Sequence, residues 1–185
     1  MNKDLIFQYF DEYLQERKTL KLISYRLAEE RGSSSIEIQL EENNKVVKLD
    51  GHGVGLVDAG FNAFLDFYAE KYKSLSTISL TDLYFKVDHR KKGGLNFKSK
   101  TLMKLEFSND NKDRTCFSEK TTSIGFTGLS VLSKSFEYYI NCEMLFKRLN
   151  FLIEDAETRN RFDVVSTYKY ALTKVVEVTN YQDIA

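Results

Sequence analysis

The run Gly51-His52-Gly53-Val54-Gly55-Leu56-Val57-Asp58-Ala59 is where this chain could do chemistry, and the chemistry is anion binding by the backbone. Glycines allow positive φ and let a ligand approach the main chain closely. A helix starting just behind them offers unpaired N–H groups and a positive dipole end. That suits the carboxylate of a small metabolite as well as a phosphate. The same pattern also serves as a tight connection that holds nothing. The dinucleotide fingerprint G-x-G-x-x-G fails, because Leu56 stands where its third glycine belongs.

Other reactive side chains find no companions at motif spacing. His52 sits inside the glycine run and reads as a lone loop histidine more readily than as a base. His89 follows Asp88 directly, and adjacent strand residues point to opposite faces, so the two make no dyad. Cys116 on a strand and Cys142 on a helix read as inert thiols. Asp58 fits equally as a favourable charge at a helix start or as a contact for a ligand amine. The basic triplet Arg90-Lys91-Lys92 reads as a solvated loop.

The elements around the glycines follow from periodicity. Residues 3–18 carry Leu5, Ile6, Tyr9, Phe10, Tyr13 and Leu14 on one helical stripe. A strand is expected over 20–27, a turn at Arg31-Gly32-Ser33-Ser34-Ser35, and a strand where Ile36, Ile38 and Leu40 alternate with Glu37 and Gln39. Glu42-Asn43-Asn44 connects it to a strand over 46–49; the glycine run and a helix over 56–72 follow. The order then repeats. A strand lies within 77–89, a loop at 90–94, strands at 101–107 and 114–118 joined by a turn at 108–111, and a long helix to about residue 149. This predicts an α+β fold of two βββα units, 20–74 and 77–150, with equivalent strand-to-helix junctions at Gly55-Leu56 and Gly125-Phe126. An N-terminal helix over 1–19 and a helical extension over 151–185 flank the pair, with a polar break expected at 154–160. Phe61, Phe64, Phe67, Tyr68 and Tyr72 recur at helical spacing and read as core or dimer interface.

Composition narrows the function. With 27 basic and 27 acidic residues, no net field points to nucleic acid or to an anionic membrane. Two cysteines at no metal spacing point to a reducing cytosol. The N-terminal run is not that of a signal peptide, and no window reaches the length of a membrane span.

Gly53-Val54-Gly55-Leu56-Val57-Asp58-Ala59, with Asn62-Ala63 behind it, resembles the G-x-G-P-V-D-A…N-A signature of the allosteric (dimerisation) domain of 2-isopropylmalate synthase and citramalate synthase. Thr122-Ser123-Ile124-Gly125-Phe126-Thr127-Gly128-Leu129-Ser130, followed by Phe136, Tyr139 and Asn141, is similar to that family's S-I-x-x-A-S helix. The resemblance covers residues 20–149 and implies leucine or isoleucine bound where two βββα units meet, feeding back on a separate catalytic barrel. It places the ligand on Gly53, Val54, Gly55, Leu56, Ala59, Ser123 and Ile124. Leu56 replaces the family's proline and loses its fixed φ. A barrel does not fit in the 185 residues. The expectation is a non-catalytic sensor of a branched-chain amino acid or similar small carboxylate, without metal or cofactor, forming a homodimer or pairing with a separate synthase subunit. The alternative is a structural dimerisation module that has lost its ligand; a free-standing enzyme ranks below both.

Overall fold

The computed structural model describes residues 3–87, 99–109 and 114–179. Their order is α1 (Lys3–Tyr13), β1 (Leu20–Glu30), β2 (Ser33–Glu42), β3 (Lys45–Gly53), α2 (Leu56–Tyr68), a 3₁₀ turn Lys73–Thr77, β4 (Ser79–Val87), β5 (Thr101–Ser108), β6 (Arg114–Thr121), α3 (Ile124–Thr158) and α4 (Phe162–Thr179). The architecture is α+β: two antiparallel three-stranded sheets, ordered β1-β2-β3 and β4-β5-β6, with four helices among the described residues.

The alternation that marked the central strands sets their faces. Ser34, Ile36, Ile38 and Leu40 of β2 are buried while Glu37 is exposed; Thr101, Met103, Leu105 and Phe107 of β5 are buried while Lys104 is exposed. Arg31-Gly32 makes the first hairpin, with Gly32 at φ 84°, so the expected five-residue turn shrinks and Ser33 already belongs to β2. Asn43 and Asn44, at φ 45° and 64°, form the second; the left-handed pair matches the twist of the flanking strands. Each sheet carries one irregularity near the start of its first strand, between Leu22 and Ser24 in β1 and between Leu80 and Asp82 in β4.

Helix α2 lies on β2 and β3, whereas α3 lies on β5, β6 and β1. The two helices touch at Gly60, where a side chain would meet Leu129 Cδ2 at 2.7 Å and Leu132 Cδ1 at 2.9 Å. Phe64 stacks on Phe136 across this contact, ring centroids 4.9 Å apart. Of the residues expected in a core or a dimer interface, Phe64, Tyr68 and Tyr72 are core, Phe61 is half-buried and Phe67 is 46% exposed.

Strands β1, β3 and β6 run on to Glu30, Gly53 and Thr121, past their expected ends, and three helix ends also differ from expectation. Helix α1 stops at Tyr13 and α2 at Tyr68, each before the predicted end. The polar stretch at 154–160 does not break the last helix of the second unit. Ile153 and Ala156 pack on Val165 of α4 while their charged neighbours face water, so α3 continues to Thr158. It ends where Asn160 turns left-handed, φ 55°, and the Arg161 N–H reaches Ala156 O at 2.8 Å. Asp88, His89 and the loop at 90–94 lie outside the described residues, as does part of the 108–111 turn.

Candidate functional site

The glycine run is not the loop expected from its composition. Strand β3 continues through Gly53, and only Val54 and Gly55 bridge to α2. None of these glycines has positive φ; Gly55 is extended at φ −167°. Close packing explains two of them. A Cβ at Gly51 would stand 2.6 Å from Ala63 Cβ, and one at Gly53 would stand 2.5 Å from both Ala59 N and Asp58 Oδ2. Helix α2 therefore lies directly on the backbone of β3, and Ala59 is fully buried beneath it. Around Gly55 the space is open.

The first turn of α2 begins directly after that open position. The N–H groups of Leu56, Val57 and Asp58 precede the first intrahelical bond, from Ala59 N to Gly55 O at 2.8 Å. Asp58 accepts the Val54 N–H at 2.9 Å, and Asn62 donates to His52 O at 2.8 Å, so both side chains fix the approach of β3 to the helix. Val54 is 76% exposed at the mouth of this corner; Gly53, Gly55 and Leu56 are half-buried.

The second corner is built differently. Ser123 caps α3 by accepting the Phe126 N–H at 3.3 Å. Thr127 Oγ1 bonds Ser123 O at 2.6 Å and lies 2.6 Å from Thr121 Oγ1, tying strand end to helix start. Ile124 is 51% exposed. Tyr25 of β1 fills the space over Gly125, where a Cβ would lie 2.8 Å from Tyr25 Cζ. The corners are nonetheless neighbours. A Cβ at Gly128, in the first turns of α3, would lie 3.6 Å from Val57 Cγ2, in the first turn of α2. The fold thus brings the two helix starts together, with Val54, Gly55, Leu56, Ser123 and Ile124 at the surface and Gly53 and Ala59 serving as packing beneath.

An open cavity of about 420 Å³ lies elsewhere, on the outer face of the first sheet, lined in part by Arg26, Ser35, Glu37, Asp50 and His52. None of the seven predicted ligand residues lines it. Arg26 Nη1 stands 3.6 Å from Glu37 Oε2, an exposed pair. Of these residues the sequence places Glu37 on the polar face of a strand, Ser35 in a turn and His52 in the glycine run.

The polar chemistry that spacing failed to reveal is structural. Ser133, Glu137 and Asn141 form a ladder one turn apart on α3 and grip the segment entering β1. Ser133 donates to Leu20 O at 2.8 Å, Glu137 accepts the Leu20 N–H at 2.7 Å, and Asn141 both donates to Lys18 O and accepts the Lys18 N–H at 2.8 Å. Burial raises the Glu137 carboxyl above its ordinary range despite that N–H. Burial likewise pushes the Cys142 thiol up, which leaves it protonated and unreactive, while Cys116 is exposed and free. No cluster of three His, Cys, Asp or Glu able to hold a metal occurs among the described residues. None of their helices is long and apolar enough to cross a membrane. Compared with protein-family models the chain matches none, and no curated protein matches it.

Proposed function

We propose that this chain is a non-catalytic regulatory and dimerisation module of the kind its glycine run resembles, binding leucine or a related branched-chain carboxylate where its two βββα units meet. The neighbouring first turns of α2 and α3, joined at Val57 and Gly128, carry the reading. Backbone N–H groups of Leu56 and Val57 would hold the carboxylate, and Val54, Leu56 and Ile124 would receive the aliphatic tail. The duplicated-unit reading draws support from the matching strand irregularities and from the helix starts. In each unit the helix begins three residues after the strand's last residue, and a glycine follows four residues later, at Gly60 and Gly128. The ligand would act by binding one conformation more tightly than another, in a cytoplasmic homodimer or on a separate synthase subunit.

Thermal unfolding with leucine, isoleucine and valine tests the proposal. A ligand present at about a hundred times its dissociation constant stabilises by about 2.7 kcal/mol. Gly55→Asp should abolish that response, because its carboxylate would stand in open space beside the N–H groups. Wild-type protein indifferent to all three amino acids would sink the sensor. The second reading, a dimerisation module without a ligand, is favoured by Leu56 in place of proline and by Tyr25 over Gly125.

A further inference from the structure

Among the described residues, one side of strand β4 is uncovered. Its pairing with β5 sets Leu83 across from Leu105 and Phe85 across from Met103, so both point toward the helices, while Asp82, Tyr84 and Lys86 point the other way. Leu105 and Met103 are buried, yet Leu83 remains 45% and Phe85 49% exposed. On β1 the residues facing the helices, Tyr25 and Leu27, are half-buried under α3; α2 supplies no comparable cover to β4 among the described residues. β4 is also the edge of its sheet, with a row of backbone groups facing outward.

The residue order of this edge is complementary to itself. Asp82-Leu83-Tyr84-Phe85-Lys86 reads acid, apolar, aromatic, apolar, base. We propose that β4 pairs antiparallel with β4 of a second copy of this chain, in the register centred on Tyr84. That register sets Asp82 against the partner's Lys86 and Leu83 against the partner's Phe85, each twice, with Tyr84 on the twofold axis. The cross-strand pairs are the kinds that stabilise sheets: opposite charges on one face and apolar side chains on the other. Asp82, whose Oδ1 accepts the Leu83 N–H at 2.8 Å, gains from a cation opposite it. Its neighbour across the sheet is Glu106, whose carboxylate is already taken by Arg114 at 2.9 Å. The pairing rests on the dimerisation part of the proposal above and gives it an address.

Sedimentation velocity over a concentration series, on the full chain, tests the pairing. Asp82→Lys sets lysine against lysine twice and should raise the dimer dissociation constant by about a hundredfold. Adding Lys86→Asp should restore the dimer, because the charges are then exchanged but still opposed. Both side chains are exposed, and circular dichroism verifies the fold. In a Cys116→Ser background, Tyr84→Cys should form an intermolecular disulfide, because directly opposed strand residues lie within disulfide reach. A dimer indifferent to Asp82→Lys, or one not restored by the exchange, overturns this register and leaves dimerisation standing. A chain monomeric at every concentration overturns both. The leucine response is read separately and decides the sensor.

Discussion

Tyr25 stands over Gly125, so that β1 of the first sheet closes the start of α3. The expected junction at Gly125-Phe126 lies inside α3, whose cap is Ser123, and the two helix starts are unequal: Gly55, the cap of α2, faces open space, while Gly125, the second residue of α3, faces a ring.

Gly125→Ala should cost about 1–3 kcal/mol by overpacking against the ring. In a Tyr25→Ala background the same change should become neutral or slightly stabilising, because alanine favours a helix over glycine by about 1 kcal/mol. Urea denaturation of the four proteins checks this; additive effects would show that the ring does not govern the site.

The glycines of the β3–α2 junction should separate into two classes. Gly53→Ala pushes a methyl group into the backbone of Ala59 and should destabilise by about 2–3 kcal/mol. Gly55→Ala enters open space on an extended backbone and should change stability by less than about 0.5 kcal/mol. Thermal melts of both variants decide. Equal losses would mean that conformation, not proximity, selects these residues.

Much of the fold was legible because β2 and β5 alternate cleanly between core and water, and because an apolar helical period follows each set of strands. The glycine run misled because glycine in a strand and glycine in a turn look alike. Here it makes room for a helix laid across the strand. The continuation of α3 past residue 150 was hidden because Ile153 and Ala156 are sparse apolar signals whose partner, Val165, comes only after the turn. The ladder of Ser133, Glu137 and Asn141 bonds to backbone groups of Lys18 and Leu20, which no residue pattern announces. The placement of Tyr25 depends on how the units meet, so periodicity within either unit could not give it.

Asn141→Ala should destabilise by about 3 kcal/mol. It removes a buried amide and leaves the Lys18 backbone N–H and C=O without those bonds. Hydrogen exchange should quicken at Lys18 and Leu20 before it does in β5. Exchange that rises uniformly instead would argue against a local clamp.

Glu42 should link stability to pH. Burial alone would raise its carboxyl, but hydrogen bonds from Lys18 and Tyr68 outweigh that and hold it below the ordinary value. The Tyr68 hydroxyl donates at 2.9 Å, and the Lys18 pair is mostly buried. With the folded carboxyl lowered, its stabilisation is present above the unfolded value of 4.5 and is lost as pH falls through the folded value. Glu42→Gln should therefore cost about 2–3 kcal/mol at neutral pH, and the gap to wild type should close in acid. A gap that persists unchanged below that window would place its origin in packing.

The 35 residues of α3 make a rod about 52 Å long. Its first turns belong to the corner beside Val57, α1 meets it midway at Tyr138, and its far end is held by α4 at Ile153 and Ala156. Pivoted at one end, such a rod swings its tip about 1 Å for each degree of tilt. A slight reseating at the corner would thus reach the terminal helices as a displacement large enough for another protein to feel.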